Sequence, residues 1–138
     1  MAEVENLNKK IDKEVKLEEL SLLEKIQNNE KTETAILKAV DGSDSKGAAY
    51  KLFEEKKLNH VVLADLPDLK KGISYEGWLV QPKPLKFFST GVMQKSKDGK
   101  WILEFKADEK YTDYFRVVIT KEKIIDEKPE NHIIEGDF

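Results

Sequence analysis

The spacing of apolar residues along this chain changes period once. From about Val4 to Asn28 there is no Gly or Pro, and Leu, Glu and Lys dominate, the composition of a helix. On a 100° wheel Val4, Leu7, Ile11, Val15, Leu22 and Ile26 gather into one narrow apolar stripe, with Leu17 and Leu20 off it and Glu18 on it. At ~1.5 Å per residue the helix would reach roughly 35 Å, enough to dock along a small domain or to pair with a second copy as a homodimer. The broken heptad favours docking or a loose dimer. Asn28-Asn29 is the expected stop.

From Thr32 onward the period is two. Short β-rich runs separated by turn residues predict strands over Thr34 to Val40, Ala48 to Glu54, Leu58 to Leu66, Tyr75 to Val80, Phe87 to Lys95, Lys100 to Lys106 and Tyr114 to Lys121, with a short run at Ile133-Ile134. Lys97-Asp98-Gly99-Lys100 reads as a primed hairpin turn, and Asp41 to Gly47 as a polar loop. Pro82 and Pro84 make Gln81 to Leu85 a connection. The expected fold is all-β, an immunoglobulin-like antiparallel β-sandwich of about seven strands preceded by the amphipathic helix. Residues 1–31 form the helix and linker, and 32–138 the sandwich.

Composition narrows the function classes. A chain of 138 residues with 39% hydrophobic content holds one domain with a real core. Without cysteine there are no disulfides, thiol nucleophiles or thiolate metal sites. The net charge is −3, lysines alternate with acids, and Arg116 is the only arginine, so the basic cluster that nucleic-acid binding requires is missing. No apolar run approaches a membrane span, and Met1-Ala2-Glu3-Val4-Glu5 is not an export signal. Any membrane attachment is expected to come through a segment outside this chain.

Four motifs in order carry a family resemblance: VVLADLPDLKKGISYEGWLV from Val61, STGV from Ser89, KDGKW from Lys97, and YFRVVITKEKIIDEKPENHIIEGDF from Tyr114. Together they resemble the extracytoplasmic C-terminal domain of anti-sigma-K-type factors. The match is looser from Thr34 to Leu52, and the N-terminal helix does not share it. Lys123 to Lys128 departs from the acidic, Gly-containing loop usual at that point. The resemblance implies a non-catalytic sensing or protein-interaction domain in the bacterial cell envelope, part of a membrane-anchored signalling protein that regulates transcription. Its sigma-binding and transmembrane parts are not in this chain. The implied partner is a protein or an envelope component.

Residue-level chemistry is sparse. Tyr75, Trp78 and Trp101 are the candidate contacts for a ligand or partner, and they motivate the alternative of a stand-alone envelope module that grips carbohydrate or peptide through an exposed aromatic. A core or corner place is the favoured reading of Tyr75 and Trp78, which on one strand point to opposite faces so that at most one is buried, while Trp101 is open between the two. His60 and His132 are far apart and lack neighbouring donors, which suits ordinary surface or hydrogen-bonded histidines. Asp41, Asp44, Asp126, Glu127 and Glu130 invite a calcium reading, but the spacing of Asp41 and Asp44 does not follow an EF-hand and a solvated loop is expected. Arg116 is expected in an exposed ion pair. No nucleophile elbow or catalytic triad order is present, so no enzyme, metal or cofactor is expected.

Overall fold

A computed structural model describes residues 23–123 and 131–138. Among them a short helix, 23–28, precedes nine strands: β1 (Glu33–Ala39), β2 (Lys46–Glu54), β3 (Lys57–Asp65), β4 (Ser74–Pro82), β5 (Leu85–Val92), β6 (Gln94–Lys95), β7 (Trp101–Ala107), β8 (Arg116–Glu122) and β9 (Asn131–Asp137). Every pairing is antiparallel. The expected strands are therefore present; the short terminal run lengthens into β9, and the long fifth one divides into β5 and β6.

The hydrogen-bonded ladder is continuous. It is one sheet in the order β5-β4-β8-β9-β1-β2-β3-β7-β6. β1 and β9 join its halves through only two residue pairs, Lys38 with Glu135 and Ala39 with Ile134. At the other side β5 comes alongside β7 without a ladder. There Phe88 and Phe105 meet across the seam with ring centroids 5.7 Å apart. The result is a nearly closed, barrel-like body whose interior is filled by side chains, as expected for about eight strands.

Alternation decides what enters that interior. Ala35, Leu37, Ala49, Val62, Ala64, Tyr75, Leu79, Leu103, Val117, Ile119 and Ile134 are buried in a single cluster. Gly77 belongs to this inner row for steric reasons, because a Cβ there would lie 2.3 Å from Leu103 Cδ2. Opposite it, β5 carries a bulge at the Gly77/Trp78 step, where Gly91 pairs with Gly77 and Ser89 with Trp78. One end of the body is closed by aromatics. Trp101 Nε1 donates to Leu66 O at 3.2 Å, Tyr75 OH donates to Pro67 O at 2.9 Å, and the two rings meet edge to face at 4.9 Å. The β3–β4 connection is thereby pinned over that end with the aromatic polar atoms satisfied.

Two turns differ from their expected chemistry. The β2–β3 hairpin turns on Glu55 and Lys56, at φ 53° and 62°, the double left-handed geometry of a type I′ turn without Asn or Gly. The Asp98-Gly99 turn instead places only Gly99 at positive φ, 86°, and closes through Ser96 N to Lys100 O at 2.7 Å. Outside the sheet, Ile26 of the helix is fully buried against Leu52 and Val61, with Leu23, Tyr50 and Ile102 around it. The described end of the apolar stripe is thus docked on β2 and β3. Val4, Leu7, Ile11, Val15 and Leu22 lie outside the described residues.

Candidate functional site

The three aromatics singled out in the sequence are not an exposed platform. Tyr75 and Trp78 are 1% exposed and Trp101 is 8% exposed. Tyr75 and Trp101 close one end of the body. Trp78 lies on the opposite face of β4, against Val80 and Val118, where its Nε1 donates to Thr120 Oγ1 at 2.9 Å and its ring meets Phe87 edge to face. Their polar atoms are satisfied by protein, so they serve packing and leave nothing to offer a ligand.

The remaining sequence candidates separate as well. His132 pairs with Glu135 at 2.9 Å on the surface, and Arg116 holds Asp137 through Nε at 2.8 Å in a half-exposed ion pair. Asp41 accepts hydrogen bonds from the Ser43 hydroxyl and backbone NH, which lower its pKa, so its carboxylate caps its own loop. Asp126, Glu127 and Glu130 lie outside the described residues, among which no cluster of three His, Cys, Asp or Glu forms that could hold a metal. No described helix is long and apolar enough to cross a membrane.

His60 departs from expectation. It shares the inward phase of Leu58, Val62 and Ala64 on β3 and is 1% exposed. Its Nδ1 lies 3.1 Å from Tyr50 O, its ring meets Phe138 edge to face at 5.9 Å, and its Nε2 has no hydrogen-bond partner among the described residues. Burial pushes its pKa down to about 4, outweighing the Tyr50 carbonyl, and the adjacent Lys51 pushes the same way. His60 is therefore neutral at physiological pH.

Register builds a polar layer from this residue. Lys51 on β2 pairs with His60 on one side and with Glu33 of β1 on the other, and His60 pairs with Phe105 of β7. Across the seam Phe88 continues the layer, its ring tilted against those of Tyr111 at 4.8 Å and Tyr114 at 5.1 Å. Lys51 is only 4% exposed. Its ammonium donates to Tyr111 O at 3.3 Å and lies 5.3 Å from the centroid of the Phe138 ring. Tyr111 presents that carbonyl from a left-handed backbone, φ 52°, uncommon for a bulky residue. Burial lowers the Lys51 pKa; Glu33 opposes the shift and Lys110 adds to it.

This layer opens into a pocket of about 580 Å³ lined by Lys31, Glu33, Lys51, Phe53, Lys110, Thr112, Phe115 and Phe138. The volume is that of a small-molecule site, and the lining combines three rings with three ammonium groups and one carboxylate. In a chain of net charge −3 the side chains that line the pocket carry a local excess of two positive charges, which the α-carboxylate of Phe138 reduces by one. Such an arrangement can bind and orient an anion. Sequence reading missed it, although His60 on the apolar phase of its strand was a usable signal.

No protein-family model, curated protein sequence or solved structure matches this chain.

Proposed function

We propose that this chain is a non-catalytic recognition domain, the extracytoplasmic sensing or protein-interaction part of an anti-sigma-factor-like regulator. The observation that carries the recognition role is the pocket built on Lys51, in which a desolvated cation and a wall of Phe side chains converge at one end of a rigid β body. The four ordered motifs from Val61 onward support the regulatory assignment, as does the helix 23–28, which packs against β2 and β3 and so connects mechanically to the strand that carries Lys51. The wrapped sheet has a four-stranded half, β5-β4-β8-β9, and a five-stranded half, β1-β2-β3-β7-β6, joined by two residue pairs. That division supports reading the fold as a flattened, sandwich-like body of the immunoglobulin kind.

An in-frame deletion of residues 32–138 from the chromosomal gene, followed by transcript sequencing, tests the role. A set of transcripts sharing one promoter element should change together. An unchanged transcriptome under envelope stress as well as in normal growth would refute the regulatory reading.

A further inference from the structure

We propose that the Lys51 pocket takes a small carboxylate carried on an apolar chain or ring, with the Lys51 ammonium as its counterion. The proposal rests on the recognition reading above and names its ligand class.

Lys51 is the anchor because its environment is incomplete for a buried ammonium. An ammonium has three donors, and among the described residues this one has a single acceptor, the Tyr111 carbonyl at 3.3 Å, and no ion pair. Burying a cation in this way is costly unless an anion joins it. Glu33, the nearest anionic candidate by register, leaves the ammonium unpaired although it lines the same pocket. A carboxylate entering from solvent supplies the missing acceptors. Three lysines, Lys31, Lys51 and Lys110, outnumber the Glu33 carboxylate and the α-carboxylate of Phe138 and favour its approach.

The rest of the lining selects what the carboxylate is attached to. Phe53, Phe115 and Phe138 contribute apolar wall, and Phe115 is 37% exposed. A hydrated, multiply charged ligand would forfeit that surface, whereas an alkyl or aryl body covers it. A phosphate dianion is the poorer match, because the pocket has no arginine fork among its lining residues and only one deeply buried donor.

The test is a titration of the isotopically labelled chain with octanoate, octanol, octylammonium and octyl phosphate, followed by amide NMR. Octanoate should give saturable shifts at Glu33, Lys51, Lys110 and Phe138 and bind more tightly than the other three. Lys51→Met, which keeps the length of the side chain, should weaken octanoate roughly tenfold or more. Glu33→Gln, at an exposed position, should tighten it severalfold by removing a carboxylate that repels the incoming anion, which provides a gain-of-binding check should Lys51→Met fail to fold. Shifts scattered away from the pocket, octanol binding equal to octanoate, tighter octyl phosphate, or no response to Glu33→Gln would each overturn the proposal. A failed titration beside a changed transcriptome removes the ligand class alone; a successful titration beside an unchanged transcriptome removes the regulatory role alone.

Discussion

His60 makes the stability of this protein acid-sensitive in a way one substitution should isolate. Its folded pKa of about 4 lies below the ordinary histidine value of 6.5, so between those limits the unfolded chain binds a proton that the folded chain refuses. The stabilisation is therefore present above pH 6.5 and is lost as pH falls toward 4. Linkage over that window gives a loss of about 2.5 kcal/mol between pH 7 and pH 4.5 from this residue alone. His60→Phe keeps a ring against Phe138 and removes the titration, at the cost of the hydrogen bond to Tyr50 O, about 1 kcal/mol. Urea unfolding of both chains across this pH range is the assay, since carboxylates elsewhere act on both alike. The difference in unfolding free energy, wild type minus variant, should fall by about 2.5 kcal/mol from pH 7 to pH 4.5. Parallel pH profiles would refute the buried neutral imidazole, as would an NMR titration of His60 with a midpoint near the ordinary value.

Four further outcomes follow from the packing. Replacing Glu55-Lys56 by Asn-Gly should stabilise the chain by about 1 kcal/mol in thermal unfolding, because both residues occupy left-handed backbone that Asn and Gly adopt more readily. Gly77→Ala should cost about 1–3 kcal/mol, and less than that when made in a Leu103→Ala background, where the Cδ2 atom that the new methyl meets is gone. Tyr75→Phe should cost about 1 kcal/mol and speed amide exchange over residues 66–73. Tryptophan emission should be blue-shifted and resist acrylamide, since Trp78 and Trp101 are both buried; ready quenching of both would restore the exposed-aromatic reading.

Strand positions were legible because alternation after Thr32 is dense, and β3 shows how far that carries. Leu58, His60, Val62 and Ala64 share one phase, so the inward direction of His60 was written in the chain. β2 resisted the same treatment. The helix 23–28 covers its outer face at Leu52 while the interior takes Ala49 and Lys51, so apolar residues fall on both phases and the lysine between Tyr50 and Leu52 passes for a surface residue. The aromatics were legible as core residues, but that Tyr75 and Trp78 are both buried was not. β4 is buried on both faces from Tyr75 to Val80, so Tyr75 and Trp78 can point in opposite directions and neither reach solvent.

What hid the pocket was a turn. Pairing Lys51 with His60 requires the register Glu54 to Lys57, which only a two-residue hairpin at Glu55-Lys56 imposes. The segment Glu54-Glu55-Lys56-Lys57 has none of the Asn or Gly that normally announces such a hairpin, and a shift of one residue would have sent every inward side chain of β2 outward. The strained turn and the buried lysine are therefore coupled. The left-handed pair at Glu55-Lys56 fixes the phase that carries Lys51 inside, and the left-handed Tyr111 at the far side of the same layer supplies its carbonyl. Both residues of one unfavourable turn and one bulky residue in the loop before β8 hold costly backbone so that a single ammonium can sit desolvated at the mouth of the sheet. Left-handed backbone at Glu55, Lys56 and Tyr111 therefore fixes the position of one cation, which is the geometry that the proposed recognition site needs.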